Sequence, residues 1–348
     1  MRLLFVKYNT MKKIGFLFLM ISLLLISCNS TPKKSYLPES IGAINSLAIV
    51  IDNDLWEGAV GDRVRQHFAA PVLGLSWEEP LFTINQMPAK VFSGSVLSTR
   101  SVLFIAKDTL SLSHIKTDMY ATPQKVGVIK GTTEEEIIKN LDTKADEMIK
   151  AFKDLEIGEA QKRFLISLNK EKALEEKLGI SLSIPSIYKV GKEEDSFVWI
   201  DRQIQKGSMN IIAYEVPGNH FKSNATLVAD IVNMRDSIGK QFIPGPTVPG
   251  KTTYMITEKA FSPYVFPAEI SNRKAAEVRG IWEIANYPMA GPFLTYIIND
   301  EENDRKIVIE GFVFAPATEK RDYMFELEAI LKTIKFTDSQ KPLEASIK

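Results

Sequence analysis

Cys28 is the only cysteine among the 348 residues, and its setting decides how the rest of the chain can be held together. It closes the sequence Leu25-Ile26-Ser27-Cys28, with a leucine three residues before the cysteine and a small serine directly before it. Ahead of it stand Met11-Lys12-Lys13 and an apolar run from Ile14 to Ile26, which is too short to span a bilayer as a helix. A basic start, a short apolar stretch, a small residue and a cysteine are the parts of a bacterial lipoprotein signal peptide, so residues 1–27 read as the signal and Cys28 as the acylated residue. A cysteine committed to a thioether leaves the exported chain with neither a disulfide nor a thiolate metal site. Stability must then come from burial, and the 321 residues from Cys28 onward are enough to build a full core.

The signal carries Arg2, Lys7, Lys12 and Lys13 and no acid, which leaves 39 basic against 43 acidic residues beyond it. That mild acidity argues against nucleic acid as a partner. No later apolar run approaches the length of a membrane span, so the lipid on Cys28 is the expected membrane attachment. Residues 28–40 are polar and punctuated by Pro32 and Pro38, as a flexible tether would be. Asn29, in place of an aspartate after the cysteine, fits a periplasm-facing anchor in the outer membrane. Residues 338–348 read as a disordered tail.

Apolar spacing gives the element order. Leu47 to Ile51 reads as a strand, and Val60, Val64 and Phe68 as a short helix after it. Pro71, Gly74 and Pro80 mark a loop, and Val102–Ala106 and Gln124–Ile129 are further strands. Ile138, Leu141, Ala145, Met148, Phe152 and Leu155 form a helical stripe, with Thr132 or Thr133 as its cap. Gly158 is expected to interrupt this helix, and residues 159–178 to form a helical connector. Beyond it, Ile180–Ile184, Phe197–Ile200 and Met209–Tyr214 read as an antiparallel meander. A helix over Leu227 to Ile238, capped near Ser223 or Asn224, then precedes strands at Tyr254, Val278–Ile284, Phe293–Ile298 and Ile307–Phe314. Tyr323, Leu327, Ile330 and Ile334 mark a closing helix. The expected class is α+β: mostly antiparallel sheets with packed helices, in two similar-sized units, 41–158 and 179–337, joined by the long helical segment.

Motifs for chemistry are few. Gly245-Pro-Thr-Val-Pro-Gly-Lys-Thr252 spells a phosphate-binding loop. Pro246 and Pro249 remove two of the amide donors such a loop needs, and the following Thr-Tyr-Met-Ile has strand composition, so no nucleotide and no other cofactor is expected. His67, His114 and His220 stand in no metal-ligand spacing. Arg279-Gly280-Ile281-Trp282 places Arg279 and Trp282 on opposite faces of a strand, with Trp282 in the core. Lys320-Arg321 at the start of the closing helix opposes the sign the helix dipole favours, which points to a partner-facing anion site.

Several separated words carry a family resemblance: Trp56-Glu57-Gly58, Phe68-Ala69-Ala70-Pro71 through Glu79-Pro80-Leu81-Phe82, Arg279 to Trp282, Met289-Ala290-Gly291-Pro292-Phe293, Glu310-Gly311-Phe312, and Pro316 through Tyr323. Together they resemble the Bacteroidota lipoprotein family called domain of unknown function 4837, over essentially the whole chain beyond the signal. That resemblance implies no activity. The second half is also similar to Mog1/PsbP-like α+β sandwiches. The expected role is a non-enzymatic binding module for an envelope protein or small ligand, with Glu79, Arg279, Lys320 and Arg321 as its candidate surface. The alternative is an envelope hydrolase assembled from Glu79, His220 and Arg279.

Overall fold

The structure, a computed structural model, describes residues 36–337 except Lys222 and Asn224. Cys28, the signal, nearly all of the expected tether and the expected tail over 338–348 lie outside the described residues.

Two sheets organise the chain. The first has the order β2 (Thr83–Met87), β1 (Ser46–Val50), β3 (Ser101–Lys107), β5 (Lys125–Gly131), β4 (Leu112–Thr117). Its β1–β2, β1–β3 and β3–β5 pairs are parallel, and only β4 runs antiparallel, against β5. This departs locally from the mostly antiparallel expectation. The helices α1 (Asn53–Glu57) and α2 (Ala59–Phe68) lie between β1 and β2, and a helical crossover brings the next strand back parallel. Val60, Val64 and Phe68 of α2 bury against β1, β3 and the long helix that follows.

That helix, α3 (Glu134–Phe164), is one unbroken element of 31 residues. The Thr133 hydroxyl accepts from the Glu136 amide, and Glu134, Glu135 and Glu136 place negative charge at the positive end of the dipole. Ile137, Leu141, Ala145, Met148 and Phe152 pack into the first core, whereas Ile157, Ala160 and Phe164 belong to the second. Gly158 does not interrupt it. Nothing lies within 4 Å of the place its side chain would occupy, so glycine there costs only its propensity, about 1 kcal/mol, against burial on both sides. The boundary expected at residue 158 thus falls inside a helix shared by both cores. The chain turns after Phe164, leaving Leu165 and Ile166 exposed, before α4 (Ala173–Leu178).

The second sheet is antiparallel throughout. It runs β10 (Met255–Thr257), β12 (Arg273–Ile284), β13 (Tyr287–Asp300), β14 (Arg305–Phe314), β9 (Gly207–Pro217), β8 (Phe197–Ile204), β7 (Lys189–Glu194), with β11 (Tyr264–Ile270) also on the outer edge of β12. The segment expected as a strand over 180–184 pairs only through β6 (Ile180–Ser181), with β15 (Lys335–Phe336). α5 (Leu227–Phe242) covers one face over a core that includes Trp282. The end of α3, α4 and the closing helix α6 (Arg321–Leu331) cover the other. The α+β class holds, and the last turns of α3 lie beside α6 on the second sheet, where Gln161 donates to the Ala329 carbonyl.

Candidate functional site

Glu79 and Lys320 do not make an open surface, because both are buried. The Glu79 carboxylate, carried on the loop between α2 and β2, accepts from the Lys320 amide (2.8 and 2.9 Å to its two oxygens) and the Arg321 amide (2.7 Å). It therefore caps α6 from the other half of the chain and adds to Asp322 the negative charge that the start of a helix favours. Lys320 lies over the Trp77 ring (3.9 Å) and donates to the Thr318 carbonyl. Arg321 donates to the Pro80 carbonyl and Thr83 hydroxyl. The partner-facing anion site expected at Lys320-Arg321 is corrected: the anion there is Glu79 of the same chain, and it is buried. His220 follows β9, with its ring edge-on to Phe221. Glu79, His220 and Arg279 make no hydrogen bond with one another, so the assembly required by the hydrolase alternative is not formed.

Arg279 belongs to a different place. On β12 it lies opposite Tyr264 of β11 and Leu294 of β13, on the face covered by α3 and α6. Its guanidinium donates to Glu277 (2.6 Å) and Glu328 of α6 (2.7 Å). Glu277 also accepts from the Tyr296 hydroxyl (3.0 Å), and Glu328 from the Lys332 ammonium (2.7 Å). Burial by itself would raise the pKa of Glu328. Arg279, Lys332 and Lys153 outweigh it and hold this carboxyl well below the usual carboxylate range. Burial also opposes the charge on Arg279, but Glu328 and Glu277 raise its affinity for the proton. Glu328 is therefore ionised at neutral pH, and each of the two acids already accepts from two donors.

These groups floor a cleft of about 630 Å³ between α3, α6 and β11–β13. Lys153, from α3, is the unmatched member. It lines the cleft half-buried and has no carboxylate within ion-pair distance among the described residues. Burial pushes its amine below the ordinary lysine range, while Glu328 pulls the other way. At the mouth Lys150 pairs with Asp154, while Asp146 and Glu269 have no ion-pair partner among the described residues. Ile149, Pro267 and Ala268 give the walls apolar surface. The arrangement presents a surplus cation at the floor and two carboxylates without ion-pair partners at the rim.

Sequence reasoning found Arg279 and missed Lys153, Glu277 and Glu328. One signal was available: Glu328 stands inside the apolar run Leu327, Ala329, Ile330 and Leu331, and an acid so placed is buried with a partner. On the opposite sheet face Arg235 of α5 grips Glu310 through two hydrogen bonds (2.8 and 2.6 Å) and Thr257 through a third (2.6 Å). Thr295 donates to the same carboxylate (2.6 Å), and the Arg235 guanidinium stacks 3.4 Å from the Phe293 ring centre. The phosphate-loop look-alike is a tight turn in which Lys251 donates to the Val248 carbonyl (3.1 Å). Pro249 and Gly250 (φ 72°) fill the central positions of a type II turn, and strand β10 follows where a phosphate site requires a helix. Among the described residues, no cluster of three or more His, Cys, Asp or Glu could hold a metal.

Residues 167–333 match the family model described as Domain of unknown function (DUF4837). This DUF4837 region holds Arg279, Glu277 and Glu328 and four of the six sequence words. Residues 40–165 match a second model, Domain of unknown function (DUF8532), which contains Lys153 and the words at Trp56–Gly58 and Phe68–Phe82. The words that read as one family thus belong to two matches, and the cleft is lined from both. No curated protein matches the chain. Among solved structures, one from Bacteroides thetaiotaomicron VPI-5482 aligns at TM-score 0.26 and 11% identity, over 45% of this chain and 45% of that one. The Saccharomyces cerevisiae Ran-binding protein Mog1p aligns at TM-score 0.31 and 10% identity, over 46% of this chain and 91% of that one. The chain therefore spans less than half the length of the Bacteroides structure.

Proposed function

We propose that the chain is a lipid-anchored envelope protein, held by Cys28 at the periplasmic face of the outer membrane, whose folded part is a binding module with its ligand site in the α3–α6–β12 cleft. One observation carries the ligand site: Lys153 stands at the floor without an ion-pair partner, beside carboxylates that each already accept from two other donors. A half-buried unpaired ammonium costs free energy in the empty protein, and a ligand that matches it recovers that cost on binding. The anchor rests on the signal-like segment ending at Cys28.

Thermal unfolding of the full chain in detergent, with and without the small-molecule fraction of an envelope extract, tests the site. The fraction should raise the Tm of the wild type and leave unchanged an Ala268→Trp variant, whose cleft is filled. A rise of equal size in that variant, or none in either protein, would overturn the assignment. The anchor is tested by a palmitate analogue, which should label the wild type and not Cys28→Ala; an unlabelled wild type removes it.

A further inference from the structure

The unmatched charges of the cleft are arranged in space as well as in number. The floor holds three cations, Lys153, Arg279 and Lys332, around two carboxylates, Glu277 and Glu328, each of which already has two donors. One negative charge completes it. A phosphate dianion would overshoot and leave net negative charge in a partly desolvated place, whereas a single carboxylate closes the balance. At the rim Asp146 and Glu269 lack cations, so a ligand that brings only an anion leaves them unmatched and must pass them to enter.

Asp146 and Lys153 are on the same helix, seven residues apart. Seven residues are two turns, so both stand on one face of α3, their backbones separated by about 10.5 Å at ~1.5 Å per residue. An extended chain advances about 3.3–3.6 Å per residue, so three residues bring an amine and a carboxylate to that separation. Ile149 lies between the two on the helix, and Pro267 and Ala268 line the β11 side, which provides apolar surface for small side chains.

We infer that the cleft takes a short zwitterionic peptide of about three residues, its terminal carboxylate on Lys153 and its terminal ammonium at Asp146 and Glu269. This rests on the cleft being the ligand site and adds the class of ligand. Backbone polar groups of such a peptide stay toward the open mouth, where water satisfies them, so the charges at its two ends set the selectivity.

The probe is trialanine with free ends, titrated by calorimetry into the full chain in detergent at neutral pH. Saturable binding is expected. N-acetylation and C-amidation should each weaken it about tenfold or more, since each removes one charge pair from a partly desolvated site. Lys153→Met should abolish the preference for the free over the amidated carboxylate. Asp146→Asn with Glu269→Gln should abolish the preference for the free over the acetylated amine. Circular dichroism and urea unfolding, run on the same samples, establish that the variants are folded. Equal binding of the free, acetylated and amidated forms overturns the inference, as does undiminished carboxylate preference in Lys153→Met. If trialanine fails to bind while the envelope fraction still stabilises the wild type and not Ala268→Trp, the peptide class is wrong and the cleft stands. If that stabilisation is absent too, the site itself is wrong.

Discussion

Arg235–Glu310 and Arg279–Glu328 are buried arginine–glutamate pairs on opposite faces of one sheet, and they differ in what surrounds them. Around Arg235 the charged groups are matched: Glu310 receives both guanidinium bonds and the Thr295 hydroxyl, Thr257 takes the third arginine donor, and Phe293 covers the ring face. Both side chains are under 5% exposed. Around Arg279 the local pairing is equally good, but the cluster opens into a cleft and carries Lys153 in surplus. The same chemistry is architecture where the charges balance in a sealed core and a candidate site where they do not balance and water has access. A buried ion pair alone therefore says nothing about function.

The largest effect should come from the sealed pair. Arg235→Met leaves Glu310 charged, buried and deprived of its cation, which should cost about 3–5 kcal/mol of stability in urea unfolding. Because the penalty is an uncompensated charge, adding Glu310→Met should recover most of it. A cost below about 1 kcal/mol would mean water reaches this side as well, and the contrast between the two faces would collapse.

Arg279→Met should cost less, about 2 kcal/mol, although the arginine it removes has two carboxylate partners where Arg235 has one. Glu277 keeps the Tyr296 hydroxyl and Glu328 keeps Lys332, and the cleft lets water reach what is left. A cost equal to that of Arg235→Met would show that the cleft does not hydrate its floor.

A third buried carboxylate sharpens the comparison, since Glu79 answers neither to an arginine pair nor to a cleft but to the amides opening α6. Glu79→Ala should cost about 1–2 kcal/mol, as the loss of a good helix cap does. Glu79→Gln should recover part of this, because an amide oxygen still accepts from one amide. No recovery would assign the effect to the charge of the carboxylate, acting on the α6 dipole and on Lys320, rather than to its hydrogen bonds.

These three positions also show what a sequence can disclose. Lys320-Arg321 announced an anion, but nothing local says that it is carried 241 residues earlier, on the loop between α2 and β2. Strands rich in β-branched residues, such as β1, β3, β5 and β14, were legible because burial on both faces selects them. The edge strands β2, β4 and β7 were not, since Thr-Ile-Asn-Gln-Met, Leu-Ser-His-Ile-Lys-Thr and Lys-Val-Gly-Lys-Glu-Glu are mostly partly exposed and satisfy half their ladder in solvent. Pro267 concealed β11 for the same reason, as proline is tolerated on an edge. Gly158 misled because propensity is a weak term beside burial in two cores. The cleft was illegible as a unit: its floor comes from α3, β12, β13 and α6, and only contact between the two halves brings Lys153 to Arg279.

The smallest effect should come from Lys153, and its sign is opposite to the others. Substituting methionine removes an ammonium that burial disfavours, so Lys153→Met should be slightly more stable than wild type at neutral pH, by less than about 1 kcal/mol given the partial exposure of the site. The pH dependence gives a cleaner reading. The amine's pKa is lowered in the folded chain and ordinary in the unfolded one, so between those values the unfolded chain binds more protons and stability rises with pH. Wild type should therefore gain on Lys153→Met as pH climbs toward about 10.4, the unfolded lysine value. The groups facing Lys153 are Asp146, Lys150 and Asp154 of α3, Glu269, Glu277 and Arg279 of β11 and β12, Tyr296 of β13, and Glu328 and Lys332 of α6. All are present in both proteins, and Tyr296 is held protonated by burial and by Glu328, so the change with pH between the two proteins reads the charge that Lys153 contributes. A difference that stays flat with pH would show that Lys153 is solvated as an ordinary surface lysine. The two arginine–glutamate clusters would then differ only in depth, and the cleft would lose the unmatched charge on which its reading rests.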